Sequence, residues 1–277
     1  MTIIDGDDVK IATECSGTAI KGTIVLIMGA TASMVWWPKS LVEQLESGGF
    51  RVIRYDHRDT GQSTTGAAGV VRYDVDNLAS DLIAVLNAYE VEAAHLVGMS
   101  LGGLLAQIVA LTEPARAQSL TLIAAEPLGV EYEGSGIPAK FMDHFGKMAD
   151  LDWTNRKEIA DFMLGIARLS AGSSPLFDGN SAKERISREI DHARNMQSAF
   201  NHSMIAGVLD PALQASQIKQ PTLIIHGTAD PLISMNAALQ SNDCIAESSL
   251  MLLEGRGHEL CERDGRMIAG AILEHIQ

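Results

Sequence analysis

Short apolar runs alternate with amphipathic stretches through the first half of the chain. Thr23–Met28 (TIVLIM), Arg51–Tyr55 (RVIRY), Ala94–Val97 and Leu120–Ala124 (LTLIA) have strand length and little polar alternation. That is the pattern of strands covered on both faces in a parallel sheet. Between them, Leu41–Glu46, Val75–Tyr89 and Leu104–Leu111 carry a helical period, and Leu78, Leu82, Val85 and Leu86 share one face. Strands alternating with such helices predict an α/β fold with a mostly parallel central sheet flanked by helices.

The alternation stops between Glu126 and Ser216. There a helical period (Phe162, Met163, Ile166, Ala167) is broken by the loop-like SAGSSP and FDGNSA, with Pro127 and Pro211 near the ends. Strand signals resume at Thr222–His226 (TLIIH) and Leu250–Leu253, with helices near Ala237 and over Met267–Ile276. This predicts one core, residues 1–125 and 217–277, with a helical cap, residues 126–216, inserted after the sixth strand. No internal repeat or low-complexity tract suggests otherwise.

Composition narrows the partners. With 21 basic and 35 acidic residues the formal charge is −14, which disfavours nucleic acid and anionic membrane surfaces. The three cysteines, Cys15, Cys244 and Cys261, form no CxxC and are odd in number, so reduced thiols are expected. No apolar run reaches the roughly 18 residues that span a bilayer. The opening MTIIDGDDVK carries acids where a secretion signal carries positive charge. The expectation is a cytoplasmic protein acting on a small molecule, as monomer or homodimer.

The sharpest chemical signal is Gly98-Met99-Ser100-Leu101-Gly102, between an apolar strand and a helical period. Strand before and helix after make GxSxG a nucleophile elbow, whose turn lifts the serine clear of the sheet edge. Such a serine needs a base and an orienting acid, in chain order Ser, acid, His. Asp230 follows TLIIH in Gly227-Thr228-Ala229-Asp230-Pro231, and His258 follows Leu250–Leu253 in Glu254-Gly255-Arg256-Gly257-His258. Each candidate stands just beyond a strand, where open α/β sheets gather their ligands. Glu126, after the strand ending at Ala124-Ala125, is the alternative acid; the tight turn around Asp230 favours the latter. The other histidines, at 57, 95, 144, 192, 202, 226 and 275, compete less well as the base. His95 and His226 belong in or beside strands, His275 belongs on a solvated helix face, and His202 is a candidate pocket residue.

Ile27-Met28-Gly29-Ala30 with Trp37-Pro38, followed by Arg54-Tyr55-Asp56-His57-Arg58-Asp59-Thr60-Gly61-Gln62-Ser63, resembles aclacinomycin methylesterases and their relatives. These are capped members of the α/β-hydrolase superfamily, and the resemblance runs over essentially the whole chain. It implies hydrolysis of a small or medium carboxylic ester, a methyl ester among the candidates, through a Ser-His-Asp triad and an acyl-enzyme. It implies no metal and no organic cofactor. By the same likeness the oxyanion hole is made by the backbone N–H groups of Leu101 and Ala30. Many relatives carry His-Gly where this chain has Met28-Gly29, so what orders that loop is open. Candidate substrate contacts are Met28, Trp37, Met99, Glu126 and His202. The cap methionines, such as Met142, Met148, Met163 and Met204, read first as packing. The Asp56–Ser63 loop reads as structural, with Arg58 tying loops together, while Asp59 stands without explanation where many relatives have Gly. Lactone or carbon–carbon bond hydrolysis by the same triad is the alternative chemistry, and a ligand-binding receptor with a slow triad is the remote one. Serine at position 100 argues against haloalkane and epoxide chemistry, which want a carboxylate nucleophile.

Overall fold

In the computed structural model, β3 (Thr23–Ile27) and β7 (Thr222–Gly227) are buried along their whole length. The structure describes residues 1–134, 136–172, 176–205 and 209–277. Alternate residues of β3 face opposite ways, as a pleated strand requires. Val25 and Ile27 join a core layer with α2 (Val75–Ala88) and α3 (Leu101–Thr112). Ile24 and Leu26 join a second layer with α1 (Lys39–Ser47) and α8 (Gly265–His275). Helices on both faces explain why these strands read as unbroken apolar runs.

The remaining strands are β1 (Thr2–Asp5), β2 (Lys10–Gly17), β4 (Arg51–Tyr55), β5 (Ala94–Met99), β6 (Ala117–Ile123) and β8 (Ser248–Leu253). The sheet order is β1-β2-β4-β3-β5-β6-β7-β8. All pairs from β4 onward are parallel; β1–β2 and β2–β4 are antiparallel. The antiparallel edge escapes the apolar-run criterion because β2 (KIATECSG) is exposed at alternate positions over its second half. α3 begins at Leu101, three residues before the periodic stretch, because the turn at Ser100 leads straight into it. The helix near Ala237 is α7 (Met235–Cys244). His275 is half-buried beside the backbone of Leu120 and Pro221, and burial lowers its pKa, so it is not the solvated residue expected.

Between β6 and β7 lie α4 (Ala139–Gly146), α5 (Arg156–Ser170), α6 (Gly179–His192) and a 3-10 turn over Ser198–Met204. They enclose a separate apolar cluster in which Phe162, Phe200 and Trp153 meet edge to face or tilted. Of the SAGSSP segment, Ser170 closes α5 and Ala171-Gly172 turn away from it, while Ser173-Ser174-Pro175 lie outside the described residues. No helix among the described residues is long and apolar enough to cross a membrane.

One buried ion pair ties the loop after β4 to α2. Arg58 donates from Nε to Asp81 Oδ2 at 2.7 Å and from Nη2 to Oδ1 at 2.6 Å. The Arg58 and Asp81 side chains are only 9% and 1% exposed. The guanidinium also lies over the Tyr73 ring, 5.2 Å from its centroid. Removing one partner of such a pair leaves a buried charge uncompensated. Asp81→Ala is therefore expected to lose about 3–5 kcal/mol in urea unfolding; a loss below about 1 kcal/mol would show that solvent reaches Arg58.

Candidate active site

Ser100 sits between β5 and α3 with φ 50° and ψ −116°, a left-handed conformation that a side chain seldom adopts. The turn is held by Ser100 N donating to Ile123 O at 2.9 Å and by Gly103 N donating to Ser100 O at 2.8 Å. Its glycines are demanded by space. A Cβ on Gly98 would run into the backbone of Gly102, and one on Gly102 into the carbonyl of Ile27. The serine thus stands at the N-terminus of α3, where the helix dipole favours negative charge.

The loop after β3 passes beside it. A Cβ built on Gly29 would lie 3.4 Å from both Ser100 Cβ and Met99 O, so Met28-Gly29-Ala30 runs against the elbow. Beyond β7, Asp230 is fixed by its own turn: Oδ1 accepts from Leu232 N at 2.8 Å and Ile233 N at 2.9 Å. His226 Nε2 donates to Ile233 O at 2.9 Å and braces that turn from β7. The other carboxylate oxygen, Oδ2, accepts from His258 Nδ1 at 2.7 Å. The Asp230 side chain is fully buried and that of His258 is 11% exposed. His258 is held in turn by its backbone N–H, which donates to Ser170 O at the end of α5 at 2.8 Å. No hydrogen bond joins Ser100 Oγ to His258 among the described residues; such bonds commonly tighten only when substrate is bound.

A cleft of about 790 Å³ opens at Ser100. Its wall is apolar at Leu101, Leu104, Leu128, Val130, Leu209 and Ile233, and polar at Glu126, Glu131 and Tyr132. Glu126 accepts a hydrogen bond from Tyr132 Oη, and burial together with that bond raises the tyrosine pKa. Of the five expected substrate contacts, only Glu126 lines this cleft. Met28 and Trp37 are 1% exposed and pack with α1 and α8; Met99, at 6%, packs in the same layer. All three side chains are drawn inward by the apolar area they bury.

His202 has a different place from the one expected. It is 7% exposed and bonded through both ring nitrogens: Thr31 N donates to Nδ1 at 3.1 Å, and Nε2 meets Arg58 O at 2.8 Å. Next to it, fully buried His57 donates from Nε2 to Met28 O at 2.8 Å. Burial lowers the pKa of both rings, that of His57 to about 3, and His202 Nδ1, as acceptor of the Thr31 N–H, carries no proton. Further along the same loop, Ser33 N and Oγ donate to Glu189, and Met34 N donates to Asp56 Oδ1 at 2.8 Å. Asp56 Oδ2 accepts from His192 Nε2 at 2.8 Å.

Asp59 is explained here as well. It adopts φ 70°, the conformation for which glycine is the usual choice. Its carboxylate accepts from Tyr73 Oη at 2.8 Å and Asn201 Nδ2 at 2.9 Å, and from the Gly66 N–H. Sequence reasoning did not single out Glu189 and Asn201, and considered His192 only as a less favoured base, so the partners of these loops were missed. The available signal was the density of charge (Asp56, His57, Arg58, Asp59) directly after an apolar strand, since buried charges require partners.

Comparison with known proteins bears on the fold and family. Residues 22–264 match the model of the alpha/beta hydrolase fold family. The chain belongs to that family. It is 31% identical to rhodomycin D methylesterase DauP of Streptomyces sp. (strain C5), over 99% of this chain and 97% of that protein. Rhodomycin D methylesterase DnrP of Streptomyces peucetius is also 31% identical, with the same coverage. Among solved structures, the esterase EaEST from Exiguobacterium antarcticum superposes with a TM-score of 0.77 at 21% identity, covering 99% of this chain and 98% of that one.

The loop anchors set a pH dependence. Burial raises the Glu189 pKa from 4.5 to about 7, helped by the neighbouring Asp56. His192 is raised first by its hydrogen bond to Asp56. Between about pH 4.5 and 7 the unfolded chain releases the Glu189 proton before the folded one does. Stability is therefore lost as pH rises through that window, and the raised His192 pKa acts with the same sign. Glu189→Gln, which keeps an acceptor for Ser33, is expected to reduce the pH 5 to pH 8 stability difference by about 3 kcal/mol. Denaturant curves at the two pH values check this; equal differences in both proteins would refute it.

Proposed function

We propose that this α/β hydrolase is a serine carboxylesterase with Ser100 as nucleophile, His258 as base and Asp230 as its orienting acid. The observation that carries the reading is the buried Asp230–His258 hydrogen bond beyond β7 and β8, two and three strands along the sheet from β5, whose end leads into a serine held in an elbow at the N-terminus of α3. His258 removes the Ser100 proton as Oγ attacks the ester carbonyl, then protonates the leaving alkoxide. Asp230 accepts from Nδ1, which leaves Nε2 as the basic nitrogen and stabilises the imidazolium. The N–H groups of Leu101 and Ala30 receive the oxyanion; each well-aimed donor contributes on the order of 3 kcal/mol. Water repeats the sequence on the acyl-enzyme.

The likeness to the rhodomycin D methylesterases supports an ester, and a methyl ester in particular, as substrate. The largely apolar wall of the cleft suits a substrate of medium size whose body sheds water on binding. Residues 126–216 act as the cap and the rest as the hydrolase core. Glu126, engaged with Tyr132 in the cleft wall, serves binding rather than proton transfer.

Ser100→Ala is expected to lower turnover of p-nitrophenyl acetate by about 10³-fold or more without unfolding the protein. A fluorophosphonate should label Ser100, as read by peptide mass spectrometry; labelling of another serine alone would overturn the assignment. A single stoichiometric burst in place of many turnovers would indicate a slow receptor.

Asp230→Asn is expected to reduce kcat about 10⁴-fold by favouring the wrong His258 tautomer, the effect that the same acid-to-amide change has in a serine protease triad. Glu126→Gln is expected to change mainly KM. The reverse pattern of kinetic effects would move the acid to the end of β6.

A further inference from the structure

We propose that His202, supplied by the insert between β6 and β7, is the positioning residue of the loop that carries the Ala30 oxyanion donor. The inference rests on the esterase reading above and adds what aims that donor. Ala30 is followed by Thr31 at φ 65°, a conformation that is an outlier for a β-branched residue. Strain of this kind persists only where the surroundings over-determine it. What holds Thr31 is its N–H, which donates to His202 Nδ1 at 3.1 Å.

The imidazole is prepared for that role. Its Nε2 faces Arg58 O at 2.8 Å, and a carbonyl can only accept, so Nε2 carries the proton and Nδ1 the lone pair. His202 is packed edge-on against His57, with centroids 5.9 Å apart. His57 Nε2 donates to Met28 O. The short stretch Gly29-Ala30 is thus pinned at both ends, by a buried ring on Met28 O and another on Thr31 N. Position 28 itself offers no polar side chain, so the ordering comes from the Asp56–Ser63 loop and from the insert. Glu189 and Asp56 hold Ser33 and Met34, further from the donor. Preorganised donors act through their aim, and small displacements are costly in rate.

Two amide variants separate positioning from packing. In His202→Asn the side-chain oxygen falls near Nδ1 and can accept from Thr31. In His202→Gln the amide reaches Arg58 O but leaves the Thr31 N–H unpaired. Both replace a buried ring by an amide, so both lose stability. The readouts are kcat with p-nitrophenyl acetate and the kcat/KM ratio between an ester and its thionoester, whose sulfur accepts hydrogen bonds poorly. His202→Gln is expected to lose about 10- to 100-fold in kcat with KM little changed, and to lose ester preference by a similar factor. His202→Asn is expected to stay within about threefold of the parent on both readouts. Equal kcat and equal ester preference in the two variants overturn the inference while leaving the esterase reading intact. A parent protein without Ser100-dependent turnover overturns both. Nitrogen-15 NMR of the unaltered protein gives an independent check: Nδ1 of His202 should be unprotonated and coupled to the Thr31 amide, and a protonated Nδ1 overturns the inference whatever the variants do.

Discussion

In the proposed esterase the loop after β3 must expose backbone N–H groups to the reacting centre while its other polar groups are buried, and that constraint organises the rest of the structure. Thr31, Ser33 and Met34 each need an acceptor, because an unpaired buried amide costs as much as a lost hydrogen bond. The acceptors are His202, Glu189 and Asp56. Two of the three belong to the insert. The core therefore cannot complete this loop alone, and the insert fixes its geometry as well as lining the cleft.

A second contact from the insert holds the opposite side of the site. Ser170 O, at the end of α5, accepts the N–H of His258 at 2.8 Å. Gly257 lies so close to Ser170 and Ala171 that no side chain would fit there. The elbow serine, by contrast, is fixed wholly within the core, by Ile123 and by its neighbouring glycines. In the proposed hydrolase, nucleophile and acid are thus core properties, whereas the base loop and the donor loop are set across the junction. Motion of the insert would disturb the alignment of these parts before it disturbed the fold.

The parts legible in the sequence are those written locally. Buried parallel strands appear as apolar runs, and the elbow as glycines around Ser100 between strand and helix. Asp230 and His258 appear as short polar motifs just after such strands, and the structure joins them at 2.7 Å. What stayed illegible is non-local. β2 presents a polar alternation because one side of the sheet edge meets solvent. Met28 and Trp37 border the site in sequence, yet pack inward with α1 and α8. His202 looks like any histidine of an amphipathic segment; its meaning depends on Thr31 and Arg58, which lie 171 and 144 residues away. Asp59 is similar, since its reason is Asn201 and Tyr73 rather than its neighbours.

The junction is built from buried polar groups where apolar packing would give more stability. Asp56, His57, Asp59, Glu189, Asn201 and His202 are each at most 7% exposed, and taking such groups from water is repaid only by well-aligned partners. An apolar interface tolerates sliding, because dispersion and area burial are almost without direction. Hydrogen bonds do not, since they weaken steeply away from their preferred angle. A junction of this kind thus exchanges stability for a single permitted docking geometry. That exchange suits the proposed site, in which a displacement of the Thr31 amide passes across Ala30 to the N–H proposed to meet the developing charge.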